Sequence, residues 1–286
     1  MRARAPASSA NLGPGFDALA VALALYVTVE ITEADELTLT AEGHGSDLPA
    51  GPEHLALRVA TAVAGHDRLA IHIRSDIPVG RGLGSSAALA VATAAAAGAP
   101  DALARAAAED GHPENAAASA LGGLVAATIV DDAPVARRLG LDPELRFVVV
   151  VPDRVLATAD ARAALPAVVS RPDAVFNLGR MGLLIAGLAD HRQLLAQASE
   201  DRLHQTARGA LFPEAAAIMA TLLDAGALAA CWSGAGPSLL AVATEESVAG
   251  LDAAASAMLG QLSLPGVVLC LAADLEGVTV AAWSAG

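Results

Sequence analysis

Between residues 78 and 88 the chain reads Pro-Val-Gly-Arg-Gly-Leu-Gly-Ser-Ser-Ala-Ala, and few local sequences narrow a backbone's choices as much. Gly80, Gly82 and Gly84 lack a Cβ, so the chain can turn sharply there and bring its N–H groups close to an anion. Ser85 and Ser86 then start an alanine-rich segment, 87–97, that reads as a helix, whose free N–H groups and dipole favour negative charge. The pattern predicts a phosphate cradle; a plain glycine turn before a helix is the simpler alternative. The chain has no lysine, and all 17 of its basic residues are arginines. That excludes a Walker-type loop, which needs Gly-Lys-Ser/Thr. A dinucleotide fingerprint also fits poorly, because the spacing is Gly-x-Gly-x-Gly-Ser-Ser and no acidic residue follows about 20 positions later. Any phosphate bound here is held by backbone, serine, arginine and metal.

With 286 residues the chain has material for about two domains. Its hydrophobic fraction is 55%, much of it alanine, so helices are expected to pack closely. The net charge of −14 argues against a nucleic-acid or anionic-membrane surface. No apolar stretch is long enough to span a bilayer, and no basic-then-apolar leader opens the chain, so a soluble cytoplasmic protein is expected. Cys231 and Cys270 show no metal-ligand spacing and read as buried thiols in a reducing compartment.

Alternation over 24–32 and 36–41 predicts two strands paired with each other. A helix at 53–65 and a strand at 69–75 follow, and the strand delivers the chain into the glycine loop. Helices near 100–109 and 114–121 flank the polar turn Asp110-Gly-His-Pro113, and Gly122-Gly123 opens a strand at 124–130. Residues 131–143, with two prolines, read as a loop before a strand at 145–151. A boundary there divides the chain into 1–144 and 145–286. The second half alternates helices (174–188, 213–225, 245–259) with strands (227–232, 238–243, 266–271, 278–282). This order predicts an α+β, two-domain sandwich with helices over mostly antiparallel sheets and no internal repeat.

Residues 5–17, Ala-Pro-Ala-Ser-Ser-Ala-Asn-Leu-Gly-Pro-Gly-Phe-Asp, are polar for a connection between strands. Asn11 offers a donor and an acceptor, and Asp17 is a carboxylate behind a Gly-Pro-Gly turn. A surface hairpin loop and the wall of a polar substrate pocket are both open readings. Taken with the glycine loop, Gly-His-Pro-Glu-Asn at 111–115 and Ser-Gly-Ala-Gly-Pro-Ser at 233–238, this segment resembles the motifs of the GHMP small-molecule kinases. The matches run in order over nearly the whole chain, and within that superfamily they resemble the homoserine kinase branch most.

The resemblance implies an N-terminal ATP-binding domain, a C-terminal domain of the same family and an active site in the cleft between them. ATP would lie over Pro78, Gly80, Arg81, Gly82, Leu83, Gly84, Ser85 and Ser86. Ser86 would meet Mg²⁺; the Glu-Gly-His-Pro of relatives is Asp110-Gly-His-Pro here, a departure that leaves Asp110, Glu109 or waters alone to complete the metal's shell. The implied acceptor, L-homoserine, is a zwitterion with one primary hydroxyl. Asp17 and Asn11 suit its ammonium and hydroxyl end, while Arg162 and Arg208 suit its carboxylate, since a planar guanidinium can bond both oxygens. His112, Thr158 and Asn115 complete the pocket. Asn115 stands where many relatives carry an aspartate, and asparagine accepts no proton at neutral pH. Catalysis with Asn115 and Ser86 would then rest on alignment and charge stabilisation, which a loose phosphoryl-transfer transition state tolerates. The turn at 232–238 would help close the site, and a homodimer is implied. Two alternatives stay open: a kinase of the superfamily acting on another small alcohol, and an inactive nucleotide-binding regulator.

Overall fold

The structure, a computed structural model, describes residues 1–110 and 112–282, the side chain of Asp110 excepted. The chain enters as β1 (Arg2–Ala10) and returns antiparallel as the 15-residue β2 (Leu19–Glu33). After β3 (Thr38–Gly43) and helix α1 (Leu55–Ala64), β4 (Leu69–Ser75) inserts between β2 and β3. β3 and β4 run parallel, and a parallel pair needs a crossover, which α1 provides. The expected pairing of the strands near 24–32 and 36–41 is therefore corrected: each pairs with β4 instead. The segment at 5–10, read as part of a loop, is the inner half of β1, with Ser8 and Ser9 fully buried.

The glycine loop leads into α2 (Ser85–Ala96), which starts two residues earlier than the sequence predicted, and α3 (Ala102–Asp110) and α4 (Pro113–Leu121) pack beside it. Nine of the twelve α2 residues are buried, and seven of those nine are alanines, small enough to let a helix sit between sheet and helices. β5 (Leu124–Val130) pairs with the start of β2. The predicted loop at 131–143 contains β6 (Ala133–Arg138), joined to β5 by Asp131-Asp132, both with positive φ. That is hairpin chemistry without the usual glycine. Pro134 is tolerated because β6 is an edge strand and lacks a partner for the missing N–H.

The second sheet runs in the order β10-β7-β9-β8, formed by β7 (Leu145–Pro152), β8 (Ala229–Trp232), β9 (Leu239–Thr244) and β10 (Gly266–Ala272), all antiparallel. Between β7 and β8 lie α5 (Thr158–Ala163), α6 (Arg171–Ala189), α7 (Gln205–Arg208) and α8 (Ala215–Asp224), and α9 (Glu245–Gln261) joins β9 to β10. α8 and α9 cover one face of this sheet over Val148, Val150 and Trp232. Its other face, with Phe147, Val149 and Leu240, shares a continuous core with the first sheet, α1 and α2. The last strand, β11 (Thr279–Ala281), pairs with β1, so the tail of 145–286 belongs to the first sheet and not to the second. Cys231 is buried and its thiol is pushed up to about 12 by that burial, whereas Cys270 is exposed on the edge strand β10, against expectation. Among the described residues no helix is long and apolar enough to cross a membrane.

Candidate functional site

The end of β1, the glycine loop, the starts of α4 and α5, α7 and the turn after β8 converge on a cavity of about 380 Å³, within the range of small-molecule sites. Its floor is the glycine loop, from Pro78 to Ser86. Gly82 and Gly84 both have positive φ, 75° and 64°. A Cβ on Gly82 would collide with the Ser233 carbonyl oxygen, and one on Gly84 with the Ser8 hydroxyl. Those close approaches let two distant segments, β1 and the turn after β8, bind the loop. Ser8 N–H donates to Leu83 O at 3.1 Å, Ser238 N–H to Arg81 O at 3.3 Å, and the Ser233 hydroxyl to Gly82 O at 2.7 Å. No side chain caps α2 at Gly84, and Ser85, Ser86 and Ala87 of its first turn line the cavity. The geometry suits an anion. Arg81 lines the same wall, held by Asp153 at 2.7 Å.

The opposite wall belongs to the segment after β1. Asn11 and Asp17 both adopt positive φ, 71° and 54°, conformations that cost free energy and survive where surrounding contacts enforce them. Asn11 enforces them itself: its Oδ1 accepts the Asp17 N–H at 3.0 Å, and its Nδ2 donates to Gly234 O at 2.8 Å. Asn11 thus aims Asp17 and itself lines the cavity. Arg162 of α5 meets the Asp17 carboxylate with both terminal nitrogens, at 3.0 and 2.8 Å.

Arg208 is buried, and every atom but one of its guanidinium is committed. Nε donates to Ala161 O at 3.3 Å, and Nη1 to Gly234 O at 3.0 Å and to His204 Nδ1 at 2.9 Å. Nη2 is left for the cavity that Arg208 lines. Burial, and then the nearby Arg162 charge, lower its pKa to about 10, which leaves it charged near neutral pH. The expectation that Arg208 presents a full fork is corrected to a single nitrogen.

His112, Asn115 and Thr158 line the cavity as the sequence predicted. Asn115 Oδ1 accepts the Ser8 hydroxyl at 2.9 Å, and its Nδ2 donates to Glu114 Oε1 at 3.2 Å. For the metal, the sequence reading needs correction. Glu109 does not reach the cavity: Arg105 at 2.7 Å and Arg58 at 2.9 Å hold its two oxygens. The Asp110 side chain lies outside the described residues. Glu114, which sequence reasoning passed over, is a buried carboxylate on the cavity wall beside Asn115. A signal existed: it is the acidic residue inside Gly-His-Pro-Glu-Asn, directly before the asparagine already singled out. It and Ser86 line the same cavity and both offer oxygen, the hard ligand type that Mg²⁺ prefers. His204, also passed over, is taken up below.

Residues 54–123 match the family described as GHMP kinases N terminal domain, and residues 183–259 match GHMP kinases C terminal. The homoserine kinase of Rhodococcus erythropolis is 41% identical over 270 residues, covering 85% of this chain and 86% of that protein. The homoserine kinase of Moorella thermoacetica is 41% identical over 254 residues, covering 83% of this chain and 86% of that protein. Among solved structures, the homoserine kinase of Cytophaga hutchinsonii superimposes with a TM-score of 0.86 at 26% identity, over 98% of this chain and 96% of that one. L. major mevalonate kinase, with a TM-score of 0.73 at 15% identity over 97% and 96% of the two chains, shares the fold.

Proposed function

The chain belongs to the GHMP kinases and, within them, to the homoserine kinases, and from that premise we propose that it transfers the γ-phosphoryl group of ATP to the hydroxyl of L-homoserine. The products are ADP and O-phospho-L-homoserine, an intermediate of threonine biosynthesis. The observation that carries this reading is one cavity whose floor is an anion cradle and whose far wall is a paired carboxylate and guanidinium. A zwitterionic amino acid matches that wall: its ammonium takes Asp17, and its carboxylate takes Arg162 and Nη2 of Arg208. A neutral sugar or isoprenoid alcohol has no use for either charge.

In this reading the α2 N-terminus and the amides around Gly82 and Gly84 bear the triphosphate, with Arg81 beside them. Ser86 and Glu114 would hold Mg²⁺, whose chemistry is to screen phosphate charge. Asn115 has no titratable group, so it orients the acceptor hydroxyl and takes no proton. The hydroxyl proton passes to phosphate or solvent as the P–O bond forms, because a loose transition state asks little of a base. Alignment and fixed dipoles supply the acceleration. The enzyme is expected to be cytoplasmic, and the homodimer implied by the resemblance is checked by light scattering. A coupled ADP-release assay across homoserine, serine, threonine, mevalonate and shikimate tests the main reading: homoserine should dominate, and no signal above background with it would refute the proposal.

A further inference from the structure

We propose that His204 is the positioning residue of the amino-acid subsite, the single ring that sets Arg208 against the segment carrying Asp17. The proposal deepens the kinase reading above and rests on it. His204 does not line the cavity and is fully buried, so whatever it does for substrate it does through neighbours.

Its two nitrogens have partners that leave no choice of tautomer. Nε2 lies 2.8 Å from Gly13 O, a pure acceptor, so Nε2 carries the hydrogen. Nδ1 lies 2.9 Å from Arg208 Nη1, a pure donor, so Nδ1 offers its lone pair. The imidazole is therefore a neutral bridge, donating to the N-terminal segment and accepting from the clamp arginine. Two further contacts hold it in place. Asp201 accepts the backbone N–H groups of His204 and Gln205, each at 2.7 Å, and so fixes the turn from which His204 and Arg208 project one helical turn apart. Phe16, the neighbour of Asp17, stacks on the imidazole with ring centroids 5.1 Å apart.

The consequence for the site follows from the guanidinium's geometry. With Nε and Nη1 bound by Ala161, Gly234 and His204, the plane of Arg208 is set and Nη2 alone faces the cavity. Removing the acceptor at His204 leaves a buried N–H unpaired, and the guanidinium turns to find another partner. The loss falls on the homoserine carboxylate, not on ATP, which lies over the glycine loop.

Two variants separate the two bonds. His204→Asn places a carbonyl oxygen near the Nδ1 position and keeps an acceptor for Arg208, while His204→Gln places an amide near Nε2 and keeps only the bond to Gly13. His204→Gln is expected to raise the KM for homoserine about tenfold, the loss of one hydrogen bond to a charged group. His204→Asn should stay within about threefold, and neither should move the KM for ATP. Equal effects of the two variants on homoserine, or parallel shifts in both KM values, overturn the proposal and leave His204 a structural residue. A readout on the unaltered enzyme stands beside these in case a variant fails to fold. The ¹⁵N spectrum of His204 should show the Nε2–H tautomer, with the Nδ1 resonance shifted by homoserine and unmoved by ADP; the other tautomer, or no response to homoserine, refutes it. Wild-type turnover is measured first. Its absence with homoserine sinks the kinase reading, whereas the tautomer is read without turnover, so the two failures are told apart.

Discussion

Arg162 and Asp17, 145 residues apart in sequence, form a two-point ion pair on the cavity wall, with N–O distances of 3.0 and 2.8 Å. Each side chain is about a third exposed, so solvent weakens the pair and a ligand can compete for both ends. A zwitterion can do so without leaving a charge unmatched, because it brings a cation for Asp17 and an anion for Arg162. Asp17→Asn removes the ammonium's partner and frees Arg162. The KM for homoserine should rise about ten- to hundredfold, the scale of a hydrogen bond to a charged group, while kcat stays within a few fold. A collapse of kcat at unchanged KM would instead make Asp17 a general base.

Acceptors with half of the zwitterion should fail for the same reason. 4-Hydroxybutyrate lacks the ammonium and 3-aminopropanol the carboxylate, so each breaks the pair and satisfies one end only. Their kcat/KM should fall at least about tenfold below that of homoserine, as measured by ADP release. Comparable turnover of either would show that the pair does not select substrate.

Two glutamates five residues apart should respond differently to loss of charge. Glu114→Gln, on the cavity wall, is expected to raise the Mg²⁺ concentration for half-maximal activity about tenfold with little change in homoserine KM. Glu109→Gln breaks the ion pairs to Arg58 and Arg105 and should lower Tm without moving the Mg²⁺ titration. If the two titrations shift alike, Glu114 is not the metal's carboxylate.

Gly82→Ala puts a Cβ against the Ser233 carbonyl at a φ of 75°. The strain is about 1–3 kcal/mol, and relieving it moves the loop amides away from the phosphates. Calorimetry should show a lower Tm, and kinetics a raised KM for ATP. A variant with wild-type values for both would show that the close approach is not needed.

Stability should carry a signature of His204. Burial pushes its imidazole from 6.5 down to about 4, so the unfolded chain takes up a proton below pH 6.5 that the native state refuses until about pH 4. The contribution is therefore whole above pH 6.5 and is lost as pH falls from 6.5 to 4, on the order of 3 kcal/mol in total. His204→Asn, which cannot titrate, should flatten the fall of Tm over that window. Parallel curves for the two proteins would count against a neutral buried imidazole.

Much of the site was legible before any fold was known, because its demands on the backbone are local. Three glycines before two serines and an alanine run state that the chain must turn tightly and then begin a helix. The resemblance also pointed to Asp17, Arg162 and Arg208, and the fold brings all three to one cavity. The strand at 69–75 was found to the residue from its alternation between buried and less buried positions, and the strand at 124–130 from the Gly122-Gly123 pair that opens it.

What the tertiary structure alone decided is which side chain meets which. Glu109 and Glu114 look alike in sequence, yet two arginines on α1 and α3 take the first and the cavity takes the second. Nothing in the sequence sets His204 apart, and only the fold brings Gly13 and Arg208 to its two nitrogens. Asp131-Asp132 hid a hairpin, and β11 left the second half of the chain to pair with β1. The hairpin is local but lacks the glycine that usually marks its turn, while the Glu109–Arg58, His204–Gly13 and β1–β11 contacts join residues far apart in the chain. Local pattern encodes backbone freedom and the face a residue prefers, but a partner across the fold is chosen by how the sheets and helices close over the shared core.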